Sequence, residues 1–392
     1  MNGGKIKLVA LLAVSALMLF CAGNALAKAK GPCVNCHTMH NSQNGDIMRV
    51  DDSTGPTPAL IKAGSCYGCH GDTNIVNGTW ALDDPEAPGR TPRINAQDYG
   101  VNGTTGDTLA GGTFYWVDVK DADAKGHNVV GVASMDAALG YDPPGFNASF
   151  TGNGQLNGGN AVWNTQLTCA GTNGCHGDHA ATDDFTAIRG GHHSGSDGLA
   201  TGADVANSYR FLKGIKGIED SDWEYQPDAT NHNQYYGDAR TADTADDTQT
   251  ISYLCAECHG DFHSGTGQKD GVELGADVGA TFGAAWLRHP TDLDMNALSD
   301  TSEYASYNGA GNEYSPIAPV ASDTLTAVKT VVLQAPGDAI VTCLSCHRAH
   351  GSAYDDLLRW EYNDNGVEHQ MSAANGAGNV GCFICHTTKD DI

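Results

Sequence analysis

Long apolar runs are what this sequence most lacks. After residue 27 no stretch approaches the roughly 20 residues that a membrane-crossing helix needs, so the sequence offers no later candidate span. Positive charge is scarce too: 21 Lys and Arg stand against 47 Asp and Glu, for a formal net charge of −26. A surface this acidic repels phosphate backbones and anionic lipid, so no nucleic-acid partner is expected. Extended 3.6-residue periodicity is missing, which argues against a helical bundle. Methionine, at 7, and aromatics, at 7%, are few, while glycine numbers 50. Such a chain has little side-chain core and would read as poorly foldable loop unless something else fills its centre.

What it does have is 13 cysteines and 16 histidines. Five times the chain runs Cys-x-x-Cys-His: Cys33, Cys36 and His37; Cys66, Cys69 and His70; Cys255, Cys258 and His259; Cys343, Cys346 and His347; Cys382, Cys385 and His386. That spacing is the signature of c-type haem attachment. The two thiols add across the two vinyl groups of one porphyrin, and the following histidine is held under the iron as its proximal ligand. One such run can arise by chance; five in one chain do not.

Cys21, Cys169 and Cys175 remain. Cys175-His176 keeps the Cys-His adjacency, but five residues separate Cys169 from Cys175 where the other sites have two. Ala170-Gly171-Thr172-Asn173-Gly174 favours a tight turn with positive φ. Such a loop can bulge outward and still present both thiols to one porphyrin edge. We therefore expect a sixth site, with Cys169 and Cys175 as its thiols and His176 as its proximal ligand. A disulfide or free dithiol is the alternative, because an exported chain permits disulfides.

Residues 1–27 read as a secretory signal. Lys5 and Lys7 precede an uncharged apolar stretch, and Ala25-Leu26-Ala27 is a small-x-small cleavage site. A lipid anchor at Cys21 competes with this reading, but Leu19 and Phe20 are bulky where such an anchor wants small residues. Cleavage after Ala27 would leave 28–392 as a single haem-binding domain. Attachment of haem c takes place outside the cytoplasm, so the leader and the motifs agree.

The expected fold is mostly coil, with short helices and a few short strands wrapped around a chain of six covalently bound haems. Porphyrins are large apolar discs that can replace a side-chain core, and ligation couples binding to folding. Residues 112–119 and 327–333 read as short strands, and 355–362 as a helical turn. The acidic run 241–247 reads as a solvated loop, with a calcium site there a weak alternative.

Six histidines are proximal, leaving His40, His127, His179, His192, His193, His232, His263, His289, His350 and His369. With methionine rare, two histidines per iron is the simplest arrangement, giving six-coordinate haems suited to electron transfer. His40, His179, His263 and His350 each follow a proximal histidine by three or four residues. On a helical turn two such rings face the same way and cannot grip one iron from opposite sides. The second ring is expected to reach a different haem and tie neighbouring sites together.

These blocks resemble a known family. Cys36-His37-Thr38-Met39-His40-Asn41, Lys125-Gly126-His127-Asn128, Cys255 to His263, Leu287-Arg288-His289-Pro290 and Cys343 to His350 are similar, in order, to the OmcS-type hexahaem outer-surface c-type cytochromes. Those proteins polymerise into extracellular electron-conducting filaments. The resemblance implies His40, His127, His179, His263, His289 and His350 as the distal set. His192 and His193 are the competing pair if one of these is misassigned. It further implies that His40 leaves its own subunit and ligates the His347 haem of the next. A head-to-tail contact of that kind does not close on itself and grows a filament. The five-residue loop at the third site departs from the family.

The function expected is therefore extracellular electron transfer, without enzymatic chemistry, by an exported protein at the outer surface. Its partners would be copies of itself, upstream outer-membrane or periplasmic cytochromes, and external acceptors such as ferric oxides or electrodes. A non-polymeric electron shuttle is the first alternative. A multihaem nitrite or hydroxylamine reductase, which needs an open or lysine-ligated iron, is the second.

Overall fold

In the computed structural model, Lys28 and, with short gaps, residues 33–71, 92–95, 109–148, 162–239, 247–263, 289–297, 306–307, 311–360 and 381–387 are described, together with three small hairpins elsewhere. The signal sequence, Cys21, residues 241–246 and His369 lie outside the described residues. No helix among the described residues is long and apolar enough to cross a membrane.

Irregular chain dominates, as the glycine-rich, turn-rich sequence demands. The helices are single turns, of which Ile251–Ala256, at 6 residues, is the longest described. Thr250 caps it by accepting the Tyr253 N–H at 3.2 Å, an N-cap bond that satisfies an otherwise orphaned donor.

A six-stranded sheet organises the second half of the chain. Its strands in chain order are β1 (Leu199–Ala200), β2 (Gly217–Ile218), β3 (Gln234–Tyr236), β4 (Leu293–Asp294), β5 (Ala321–Ser322) and β6 (Ile340–Val341). In space they run β4-β6-β5-β3-β2-β1, with β3 and β5 parallel and the other neighbours antiparallel. Side chains alternate across a strand, so adjacent residues feed opposite faces. Ile340 joins Tyr209, Leu212, Tyr235, Ile251 and Leu344, beside Cys175. Val341 joins Leu293, Tyr314, Val320, Val332 and Trp360, beside Cys346, Cys382 and Cys385. The sheet thus stands between two apolar clusters, each lined by cysteines of the attachment motifs.

Two expected strands do not form. Within 112–119 only Gly112 makes a bridge, to Gly351, and Tyr115–Asp118 is a helical turn instead. Phe114 and Val117, spaced three apart, both enter a cluster with Val129 and Val132, which a helical turn allows and a strand does not. In 327–333, only Val331 bridges, to Glu313, because the buried Val332 is inserted into the core beside the sheet. Within 355–362, the described turn spans Asp355–Leu357 and Leu358 is extended, while 361–362 lie outside the described residues.

Candidate functional site

Five of the six cysteine motifs share one backbone bond. The proximal histidine N–H donates to the carbonyl of the first cysteine: His37 to Cys33 at 2.9 Å, His70 to Cys66 at 2.9 Å, His259 to Cys255 at 2.9 Å, His347 to Cys343 at 3.0 Å and His386 to Cys382 at 2.9 Å. This closes one turn and puts both thiols and the ring on the same side. The stretched site is built differently. Thr168–Ala170 and Gly174–His176 run side by side as parallel strands, joined by a turn through Gly171, Thr172 and Asn173. Gly171 turns the corner at φ +81, where a Cβ would meet the Ala181 carbonyl at 2.6 Å, so glycine is required there. Thr172 pins the loop by donating its hydroxyl to the Ala181 carbonyl at 3.0 Å.

Cysteines of successive motifs are neighbours in order along the chain. The Cys36 and Cys69 thiols act on one another electrostatically. Cys66 and Cys169 share a hydrogen bond, and their sulfurs lie with an Asp184 oxygen inside 4.8 Å of one another. Cys175 sits near Cys255 and Cys258, and Cys255 is hydrogen-bonded to Cys343. Cys346 packs with Cys382 and Cys385. Cys169 therefore lies against the thiol of the second motif while Cys175 faces the fourth. Burial pushes the Cys175 thiol up to about 11 and those of Cys69 and Cys346 up to about 12, which disfavours reactive thiolates.

The imidazoles come together in pairs. Ring centres are 6.2 Å apart for His70 and His192, 6.1 Å for His259 and His127, 6.2 Å for His176 and His350, and 6.3 Å for His386 and His289. His37 and His193 stack at 5.7 Å. Two imidazoles that share one metal at about 2 Å per bond have ring centres roughly 6 Å apart. The structure thus contains five proximal rings, each with a second ring at the separation that a shared iron requires. Close packing holds Gly111 against the His350 ring, where a Cβ would stand 3.0 Å from Nδ1, and Phe114 stacks on the other side at 4.7 Å.

The tautomer is set as ligation needs it. Nδ1 faces a backbone carbonyl in His70 (Pro92, 2.9 Å), His127 (Ala349, 2.7 Å), His176 (Arg210, 2.9 Å), His259 (Pro144, 2.7 Å) and His347 (Asp356, 2.7 Å). A carbonyl only accepts, so Nδ1 carries the proton and the Nε2 lone pair is left for a metal. Burial depresses the affinity of His70, His127 and His176 for a second proton, and pushes His192 and His259 down to about 4 and His350 to about 3. Neutral rings are what an iron binds. A buried cationic donor fits the same group: Arg359 Nη2, next to the fifth motif, has no hydrogen-bond acceptor, and a porphyrin brings carboxylates.

Of the distal ligands that the sequence suggests, His127, His289 and His350 are brought to proximal rings. His350 lies three residues past one motif, outside any helical turn, and meets the ring of another. His179 and His263 are not brought to a proximal ring. His179 Nε2 faces the Cys175 carbonyl at 3.2 Å, and its Nδ1 stands 3.7 Å from Glu257. His263 Nε2 pairs with Asp292 at 2.8 Å, both side chains buried. The rings found beside His70 and His37 are those of His192 and His193. The adjacent pair of histidines was the sequence signal for this, but adjacency does not say which two irons the rings would serve. His232 is buried, stacked on Tyr314 at 3.5 Å with its Nδ1 against the Asn233 carbonyl, and belongs to the core. His40 and His347 are both exposed.

Residues 337–391 match the family model of the doubled CXXCH motif, which takes in the fifth and sixth sites. The chain is 25% identical to the C-type cytochrome OmcS of Geobacter sulfurreducens, over 90% of this chain and 84% of that protein. Two solved structures from the same organism are also similar, the outer membrane cytochrome S filament and the OmcS nanowires. Both cover 93% of this chain and 100% of theirs, at 20% and 18% identity and TM-scores of 0.44 and 0.39. The resemblance to the OmcS-type multihaem cytochromes thus runs along nearly the whole sequence.

Proposed function

We propose that this OmcS-like multihaem cytochrome is exported, binds six haems c, and relays electrons outside the cell through copies of itself joined head to tail. The thiols would be Cys33 and Cys36, Cys66 and Cys69, Cys169 and Cys175, Cys255 and Cys258, Cys343 and Cys346, and Cys382 and Cys385. The axial pairs would be His37 with His193, His70 with His192, His176 with His350, His259 with His127, and His386 with His289. His347 would take His40 of the next copy. The observation that carries this reading is the set of paired rings, with one proximal ring exposed on the same chain that exposes His40.

When bound, haem iron supplies one-electron transfer between its ferrous and ferric states. The chain's own residues do the rest. Paired imidazoles would hold each iron between them and leave no position for a substrate there. Carbonyls fix the rings so that little rearrangement accompanies a change of charge. The neighbouring cysteines of successive motifs keep the sites in one file, and the acidic surface favours positively charged mineral faces or basic proteins as contacts. The likeness to a protein solved as a filament supports polymerisation, as does the exposure of both His40 and His347.

Replacing His40 with Ala tests the junction. The variant should load its haems, remain monomeric, and show one high-spin haem in six. Filaments of normal length from His40→Ala would sink the head-to-tail model and favour the soluble shuttle.

A further inference from the structure

Twelve residues other than glycine have positive φ among the described residues, and eight of them form four consecutive pairs. Three of these pairs sit against the first, third and fifth attachment sites. They are Ala59 (φ 53) and Leu60 (φ 61), Arg210 (φ 48) and Phe211 (φ 60), and Asp356 (φ 56) and Leu357 (φ 58). L-residues avoid this left-handed region because Cβ crowds the following carbonyl, and two in a row are rarer still. Such conformations persist only where the surroundings impose them, and they gather at functional sites.

The three pairs make the same contacts. The second residue's carbonyl accepts the N–H that follows the proximal histidine: Thr38 to Leu60 at 2.8 Å, Gly177 to Phe211 at 2.7 Å and Arg348 to Leu357 at 2.8 Å. At the third and fifth sites the first residue's carbonyl faces Nδ1 of the proximal ring, Arg210 to His176 at 2.9 Å and Asp356 to His347 at 2.7 Å. At the first and fifth sites the chain then returns a bond to the second cysteine, Lys62 N to Cys36 O at 2.9 Å and Arg359 N to Cys346 O at 2.8 Å. A left-handed pair points two successive carbonyls the same way, which is what reaching one ring and the next amide requires. Extended backbone, whose successive carbonyls alternate in direction, cannot do it.

The sequence around each pair repeats as well. Pro58-Ala59-Leu60-Ile61-Lys62, Tyr209-Arg210-Phe211-Leu212-Lys213 and Asp355-Asp356-Leu357-Leu358-Arg359 share a large apolar residue, a branched aliphatic and a base in the last three places. The same three sites carry a histidine three residues past the proximal one, at His40, His179 and His350. At the third site a Glu219 oxygen holds the pair by accepting the Arg210 N–H at 2.5 Å and the Lys28 ammonium at 2.8 Å. The second and fourth sites are served differently, by the carbonyls of Pro92 and Pro144. The fourth left-handed pair, Trp223 and Glu224, accepts from Ala110 and supports the loop against which His350 packs.

We propose that these three left-handed dipeptides are positioning residues for the proximal histidines of alternate sites, and that they mark three copies of one two-site unit in this chain. The Arg210 and Asp356 carbonyls are aimed at Nδ1–H of His176 and His347 and would make those rings stronger electron donors to their irons, favouring the ferric state and lowering those sites' potentials, while the first-site pair holds the amide after His37 through the Leu60 carbonyl. The proposal rests on the haem reading above.

Asp356 is exposed, so it can be changed with little effect on packing. Asp356→Gly and Asp356→Val both remove its carboxylate from beside His347. Glycine enters the left-handed region freely, while β-branched valine does not. Purified full-length protein of each variant would first be weighed under denaturing conditions to count haems, then titrated potentiometrically by its visible absorbance. With equal haem loads, Asp356→Val should move about a sixth of the amplitude to higher potential relative to Asp356→Gly. Superimposable titrations would overturn the positioning role, with the haem reading untouched. Lack of haem at the His347 site in the unmodified protein would overturn both. Ala59→Gly and Ala59→Val, also at an exposed position, repeat the comparison at the first site and stand in if Asp356→Val does not fold.

Discussion

His179 and His350 hold the same place in their motifs, three residues past a proximal histidine, yet their rings end in different surroundings. His350 lies against Phe114 and faces His176. His179 is turned back onto the Cys175 carbonyl and Glu257. Replacing His350 with Ala is therefore expected to convert one haem in six to high spin, read by electron paramagnetic resonance, while His179→Ala leaves the spectrum low-spin. A high-spin signal from His179→Ala alone would reverse the assignment. At this scale the attachment motifs stand out in the sequence because attachment is local: in five motifs two cysteines and a histidine lie within five residues, and in the third within eight. Distal rings are chosen by tertiary approach. Spacing could therefore show that His40, His179, His263 and His350 face away from their own irons, but not which of them reaches another. The adjacency of His192 and His193 singles them out, but nothing local says which sites their rings approach.

Elements here are so short that capping and single turns decide their stability. The turn Ile251–Ala256 carries Cys255 and packs Ile251 and Leu254 against the sheet. Its cap is the Thr250 hydroxyl. Thr250→Ala should cost about 1 kcal/mol, measured as a lowered midpoint of denaturant unfolding of the haem-loaded protein. Thr250→Ser should restore most of it, and equal midpoints for all three proteins would show that the cap contributes nothing. Coil with short elements was readable from glycine content and missing periodicity. The two expected strands, 112–119 and 327–333, show where that reading fails. Their β-branched and aromatic residues are there to fill apolar clusters at Phe114, Val117 and Val332, and propensity yields to packing. The left-handed dipeptides were illegible for the opposite reason. None of their six residues is glycine or asparagine, so no turn signal announces them.

For the whole molecule the decisive property is the file of sites in sequence order, each thiol pair beside the next from Cys36 to Cys385. A chain with so little apolar side-chain core needs that file filled, so the haem-free polypeptide should show the far-ultraviolet circular dichroism of coil. Native-like secondary structure without haem would argue that the sheet and its two clusters suffice alone. The third site is the middle link. Its stretched loop leaves Cys169 against Cys66 and Cys175 near Cys255 and Cys258, bridging the first pair of motifs to the second half of the chain. The direct test is the intact mass of the purified mature protein under denaturing conditions, where covalent haems stay attached. The account predicts a chain beginning at Lys28 and carrying six haems. Five haems would mean that Cys169 and Cys175 do something else, and the relay would then be broken at its centre.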